Sequence, residues 1–371
     1  MLEKYGHGGD LRTAAEAYGL EEERFLDFSS NMNPLGPPSS VRSVLTAYAD
    51  RIHAYPDPAV RELRRKLARL HGVEDNRILV GNGAAELIDL AVRAVRPAVA
   101  ALARPSFSEY EDAVRKAGCE VYGLPLEAGD GFELGEGLIR HALERSGADL
   151  YIVGSPNNPT GKLADPEHIR LMLSRGAFVV LDEAFLDFVP GGEKLSMIAE
   201  AAASERLIVL RSMTKFYAIP GIRLGYAVGS AEAIGRMKEL QVPWSVNSLA
   251  QSIGEAVLDD AEYAERTIRW LAEERPWLAY RLRELGMEPV DGSANYLLVR
   301  LPDGLPFDAT RLQREMGRRG VLIRDASRFP GLDGRYIRLA VKLREQNAAM
   351  LSALQKCLSA AADQGQDGTS R

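Results

Sequence analysis

Between residues 77 and 229 seven short β-rich runs follow one another, RILVG, VAALAR, CEVYGL, DLYIVGS, AFVVLD, RLIVLR and LGYAVG, with helical stretches between most of them. That alternation predicts an α/β chain whose large domain is a seven-stranded, mostly parallel sheet covered on both faces. Ligands of such sheets sit beyond the strand C-termini, which gathers Gly81 to Ala85, Ser155 to Gly161, Asp182 and the segment around Lys215 on one rim. After Val246 two helical stretches, SLAQSIGEAVL and AEYAERTIRWLAEERPWLAYRLREL, lead into a strand-like NYLLVRL. A helix (FDATRLQREMGRRG), short strands (VLIRD, YIRLAV) and a last helix follow, the make-up of a small α+β domain. The expected division is a segment 1–40 joining the small domain, a large domain 41–245, a small domain 246–360 and a disordered tail 361–371. A chain of 371 residues, 46% hydrophobic, can bury cores for both domains.

The net charge of −6 argues against nucleic acid as the main partner, because phosphate-backbone binding needs clustered positive charge. The basic stretch RELRRKLARLHG has leucines at helical spacing and reads as a solvated helix face. Cys119 and Cys357 stand far apart, which suggests neither a disulfide framework nor a thiolate metal site; no metal is expected. The N-terminus MLEKYGHGGD lacks an apolar signal core and no apolar run is long enough to span a bilayer, so a cytoplasmic protein without membrane contact is expected.

The stretch RSMTKFYAIPGIRLGY brackets one lysine, Lys215, between hydroxyl, aromatic and guanidinium side chains. An amine nucleophile must lose its proton, which burial or a nearby cation encourages; a lysine taken alone reads as an ordinary surface residue. Asp182 ends an apolar strand, where its carboxylate can pair with a protonated ring nitrogen, although DEAF also reads as a helix N-cap. Asn157 in SPNNPTG can offer an amide to a ring oxygen, or can form a Pro-Asn turn. In GNGAAELIDLAV a glycine turn enters a helix, so the amides of Gly83, Ala84 and Ala85 point at an anion, to which Ser212, Thr214 and Arg223 add hydroxyls and a donor fork. An amine, a carboxylate for a ring nitrogen, an amide for a ring hydroxyl and an anion cradle are together what pyridoxal 5'-phosphate needs.

The succession Asn-Pro-Leu-Gly, Tyr-Pro, Gly-Asn-Gly, Pro-Asn-Asn-Pro-Thr-Gly, Asp-Glu-Ala, Ser-x-Thr-Lys and Gly-x-Arg-x-Gly resembles the class I/II aminotransferase family, the fold type I pyridoxal-phosphate enzymes, over nearly the whole chain. The resemblance implies that Asn157, Asp182, Lys215 and Arg223 hold the cofactor, that Phe107 stacks on its ring and that Arg338 binds a carboxylate. It also implies a homodimer in which Tyr55 reaches the partner subunit's cofactor phosphate. Within the family, HGGD, FSSNMNPLG, DEAFLDF, TKFYAIPGIRLGY, PWSVN and FPGLDGRYIRLA resemble the branch that decarboxylates L-threonine O-3-phosphate for cobalamin biosynthesis, close to the histidinol-phosphate aminotransferases. The latter carry a tyrosine where this chain has Phe185.

The implied substrate is a phosphorylated amino acid, and the implied product (R)-1-amino-2-propanol O-2-phosphate. Anchors for its two anions are His7, Gly8, Gly9, Asn31, Asn157, Arg324 and Arg338, although His7-Gly-Gly also reads as a frayed terminus and Arg324 as a rim ion pair. Alternatives are phosphoserine decarboxylation, one methyl away, and histidinol-phosphate transamination. A P-loop in GSPNNPTGK fails, with Pro156 where the first glycine belongs and Leu163 in place of Ser/Thr. A cofactor-sensing transcription regulator needs an added DNA-binding module, for which a fold starting almost at residue 1 is expected to leave no room.

Overall fold

The structure, a computed structural model, describes residues 8–367. After a short strand β1 (Leu26–Asp27), all seven runs form strands: β2 (Ile78–Gly81), β3 (Val99–Arg104), β4 (Glu120–Pro125), β5 (Leu150–Gly154), β6 (Phe178–Asp182), β7 (Leu207–Ser212) and β8 (Gly225–Val228). They make one sheet in the order β2-β8-β7-β6-β5-β3-β4, parallel except for β8, which runs antiparallel to both its neighbours. Alternate residues enter cores on opposite faces. In β6 Val179 and Leu181 join one cluster and Val180 the other; in β7 Leu207 and Val209 oppose Ile208 and Leu210. Helix Ser248–Val257 covers the first face with Ile253 and Val257, and helix Ala84–Val95 the second with Leu87, Ile88 and Leu90. Each such side chain, fully buried, contributes ~1.5–3 kcal/mol, which is why the runs are apolar throughout.

The C-terminal part adds β9 (Glu288–Pro289), β10 (Tyr296–Arg300), β11 (Val321–Leu322), β12 (Arg324–Asp325) and β13 (Tyr336–Ala340). VLIRD, which reads as one strand in the sequence, divides at Ile323: β12 joins the four-stranded sheet β12-β13-β10-β9, while β11 pairs in parallel with β1 through Leu26↔Val321 and Asp27↔Leu322. That pairing ties the segment around Leu26 to the C-terminal part of the chain. A further core joins the two sheets' surroundings, with Phe28, Phe185 and Phe216 packed with Trp270, Leu297 and Leu339. The tail expected to be disordered from residue 361 carries the last helix, Arg344–Asp367, and otherwise lies outside the described residues. No helix among the described residues is long and apolar enough to cross a membrane.

Candidate active site

Strand register builds the rim. Gly154 pairs with Asp182, which pairs in turn with Leu210, while Ser212 and Gly81 both pair with Gly225, so β5 and β6 end together, β7 runs two residues further, and β7 and β2 end on either side of the start of β8. Above them opens a cavity of about 690 Å³ whose lining includes Ala84, Ala85, Asp182, Thr214, Lys215 and Arg223. Because β8 runs opposite to its neighbours, the residues just before it reach the same rim as those just after β7, and Arg223 and Ser212 line the same cavity.

Asp182 is buried at the cavity floor. Its Oδ1 accepts the Ala184 N–H at 2.9 Å and its Oδ2 the Tyr110 hydroxyl at 2.7 Å. Burial raises the carboxyl's pKa, against the opposing pull of the Tyr110 hydroxyl, the Ala184 amide and the Lys215 charge. Tyr110 is itself pushed well above its ordinary value by burial and by Asp182, so it stays protonated and donates. Sequence reasoning missed Tyr110, three residues after Phe107 and set among the charges of SEYED. Phe107 lines the cavity and meets Tyr110 edge-on, with ring centroids 5.6 Å apart.

Lys215 sits on a single helical turn, Met213–Phe216, immediately after β7. Burial, then the Arg223 and Arg338 guanidiniums, bring its pKa down to about 8 against the pull of Asp182. The Asn33 N–H donates to the Lys215 carbonyl at 3.2 Å, and Asn33 Nδ2 to the Phe216 carbonyl at 2.9 Å and Thr267 Oγ1 at 2.8 Å, fastening the turn to the long helix Ala261–Glu284. Asn33 is a second residue the sequence did not single out.

The anion cradle differs in detail from expectation. The Gly83 N–H donates to the Gly81 carbonyl at 2.8 Å and Gly83 is not in the lining, whereas Ala84 and Ala85, at the start of helix Ala84–Val95, line the cavity. Gly83 matters as a surface: a Cβ there would stand 2.8 Å from Arg223 Nη2 and 3.2 Å from its Cζ. Arg223 has a left-handed backbone, φ 59°, costly for a residue with a side chain. Its guanidinium has no hydrogen-bond or ion-pair partner among the described residues. Ser212 and Thr214 complete the cradle, with Thr214 Oγ1 donating to the Leu224 carbonyl at 3.3 Å. A strained, unengaged guanidinium seated on a bare glycine beside a helix N-terminus fits the phosphate of pyridoxal 5'-phosphate, and Lys215 and Asp182 line the same cavity for its aldehyde and ring nitrogen.

Asn157 lies behind the cavity wall rather than in its lining. Its Nδ2 donates to the Pro105 carbonyl and Thr160 Oγ1, both at 3.0 Å, and its buried Oδ1 has no partner among the described residues. An amide contact to a ring oxygen therefore requires exchanging one of those bonds. Tyr55 is 85% exposed, packs against Trp244 at 5.7 Å and is outside the cavity.

The opposite wall comes from the small sheet and the N-terminal loop. Arg324 and Arg338 are Cα partners across β12 and β13, so two buried arginines leave one sheet face side by side. Arg338 donates through Nη1 to Asn158 Oδ1 at 2.5 Å and through Nη2 to the Ser29 carbonyl at 2.8 Å. Ser29 also orders the glycine pair: its Oγ accepts the Gly9 N–H at 2.9 Å, and a Cβ at Gly8 would collide with its carbonyl. Asn31 lines the cavity with a buried Oδ1 that has no partner among the described residues. Phe185 lines it too, edge-on to Tyr296 at 5.0 Å, and Arg328 at the mouth is a lining residue the sequence did not single out. His7 lies outside the described residues. Among the described residues no group of three His, Cys, Asp or Glu could hold a metal ion.

The model of the family described as aminotransferase class I and II matches residues 23–354. The threonine-phosphate decarboxylase of Salmonella typhimurium is 39% identical to this chain, over 95% of this chain and 96% of that protein. Among solved structures, the histidinol-phosphate aminotransferase of Clostridium acetobutylicum superposes with a TM-score of 0.83 at 30% identity, covering 90% of this chain and 99% of the other. The L-threonine-O-3-phosphate decarboxylase of Porphyromonas gingivalis superposes with a TM-score of 0.78 at 29% identity, with the same two coverages, 90% and 99%. Two activities thus share this fold at nearly equal likeness, and the fold alone does not select the reaction.

Proposed function

The chain belongs to the class I and II aminotransferase family, and from that premise we propose that it decarboxylates L-threonine O-3-phosphate to (R)-1-amino-2-propanol O-2-phosphate, the linker of cobalamin's nucleotide loop. Its cofactor is pyridoxal 5'-phosphate, which when bound supplies a ring that withdraws electrons from the α-carbon of an amino acid. The observation that carries the substrate assignment is the buried, in-register pair Arg324 and Arg338. Like charges opposite one another in a sheet repel, and a dianionic substrate relieves the repulsion. The greater identity to a threonine-phosphate decarboxylase supports the same reading.

In this reading Asp182, whose ionised form Tyr110 and the Ala184 amide favour against the effect of burial, would pair with the protonated ring nitrogen. Ala84, Ala85, Ser212, Thr214 and Arg223 would hold the cofactor phosphate, Lys215 would supply the amine for its aldehyde and Phe107 would lie against its ring. Arg338 and Arg324, with Asn31 and the glycine pair Gly8-Gly9, hold the substrate's carboxylate and phosphate. Fixing both anions fixes rotation about Cα. Only the bond turned toward the electron sink breaks, so binding energy from the remote phosphate is spent on presenting the Cα–carboxylate bond. Carbon dioxide leaves without the bonding electrons, and a proton must be delivered to Cα in its place. Lys215 Nζ, with a pKa near 8, is suited to deliver it at neutral pH.

Phe185 offers no hydroxyl to the ring, which supports a departure from transamination. The exposed Tyr55–Trp244 pair, with Ile52 and Val242 also exposed, supports a homodimer in which Tyr55 serves the partner subunit's site. The setting we propose is the cytoplasm. The test is holoenzyme with L-threonine O-3-phosphate and no keto acid: sustained carbon dioxide release over many turnovers is expected. Its absence, with amino transfer from histidinol phosphate to a keto acid instead, overturns the assignment. Equal turnover of O-phosphoserine would widen the substrate class.

A further inference from the structure

Phe329 lies in the cavity wall beside Arg324 and Arg338. It is buried, and both arginines reach its ring: Arg324 Cζ lies 5.5 Å from the centroid and Arg338 Cζ 6.0 Å. Arg338 is also 5.4 Å from the ring of Tyr296. Cations withdrawn from water gain most from an aromatic face, and these two share one while standing opposite each other on one sheet face.

The ring is rooted on both sides of the cavity. The Phe329 N–H donates to the Ala326 carbonyl and the Phe329 carbonyl accepts the Leu332 N–H, both at 3.0 Å, which closes the loop between β12 and β13. Phe329 packs in a cluster that takes Ala103, Leu126 and Phe132 from the large-sheet side and Leu298 and Tyr336 from the small sheet. The loop approaches so closely that a Cβ at Gly331, φ 95°, would stand 3.0 Å from the Arg104 carbonyl. Docking of this loop on the end of β3 therefore sets where the ring lies, and the ring sets where the guanidiniums rest.

We infer that Phe329 is a specificity-determining residue: its π-face fixes the separation of Arg324 and Arg338, so that the pair accepts an amino acid bearing two anions spaced as a carboxylate and a side-chain phosphomonoester. This deepens the proposed function and rests on it for the substrate, but binding reports it whichever bond at Cα breaks.

Holoenzyme of the parent, Phe329→Leu and Phe329→Tyr is titrated with O-phospho-L-threonine and with L-threonine, following the visible absorbance of the bound coenzyme. Phe329→Leu is expected to weaken the phosphorylated ligand about tenfold and L-threonine by less than about twofold, with the ligand-free spectrum unchanged; Phe329→Tyr, which keeps the ring, restores the parent affinity. Should the leucine variant fail to fold, Phe329→Met fills similar volume without a π-face and reads the same quantity. Parent-like affinity for phosphothreonine without the ring, an equal loss for L-threonine, or a tyrosine variant as impaired as the leucine one each overturns the inference. Failure of the parent to release carbon dioxide would instead remove the proposed reaction and leave this comparison standing.

Discussion

At the large-sheet rim Asp182, Ser212 and Gly225 are placed by the register of β6, β7 and β8, with Asp182 beside Leu210 and Ser212 beside Gly225, each on a strand buried on both faces. On the facing wall Arg324 and Arg338 also arrive by register, but from a strand of two residues and against the repulsion of like charges. The first group is positioned by a core that needs no ligand. The second is held by ring faces, with Arg338 also bound to the Ser29 carbonyl and the Asn158 side-chain oxygen, and its two like charges favour a ligand that carries two anions. The difference teaches that catalytic chemistry and substrate choice rest on separate supports, so substitutions can remove one and spare the other.

The largest effect expected is at Lys215. Lys215→Ala should lower kcat by about 10⁴-fold, the upper end of what a positioned proton-transfer group supplies, and abolish the borohydride-reducible attachment of the coenzyme. Retention of that attachment would break the comparison at its firmer end. Next, Arg338→Ala should weaken phosphothreonine by roughly 10²- to 10³-fold, as expected for truncating one partner of a buried charge contact, while a coenzyme titration stays at the parent value. Loss of both affinities together would merge the two supports into one. Tyr110→Phe should reduce kcat about ten- to hundredfold, the worth of a hydrogen bond to a charged group, with KM unchanged. Because the donor favours ionised Asp182, removing it raises that carboxyl's pKa, so the acid limb of the kcat profile should move to higher pH; an unmoved limb denies Tyr110 its positioning role.

The smallest effect concerns stability. Lys215 titrates near 8 in the fold against 10.5 ordinarily, so between those values the unfolded chain binds more protons and stability rises with pH. In coenzyme-free protein, denaturant melts from pH 8 to 10.5 should show that rise, and Lys215→Met should flatten it. An identical slope in both proteins would place the amine in water.

How legible the molecule is in its sequence follows from the same division. Lys215, Asp182 and Arg223 can be read because each stands at a strand end within a few residues of its local signal. The pairing of Arg324 with Arg338 cannot, because it depends on VLIRD dividing at Ile323 between two sheets, and nothing in five apolar and charged residues announces that division. The turn at Gly83 is legible while its role is not, since the amide closes on Gly81 and the missing side chain seats Arg223. Asn157 is committed to Pro105 and Thr160, contacts made by neighbouring loops that spacing does not reveal. Tyr110 and Phe329 carry only the signature of core aromatics, and their partners become visible when strands distant in sequence meet.

The reversed strand β8 has one further consequence. A single unbroken hairpin, descending along β7 and returning along β8, delivers both the amine that would grasp one end of the coenzyme and the guanidinium that would grasp the other. Any slippage of that hairpin carries both grips along together, like two hands on one rod. The vitamin would then stay grasped, and the quantity that drifts is how squarely its ring nitrogen meets the carboxylate on the strand next door.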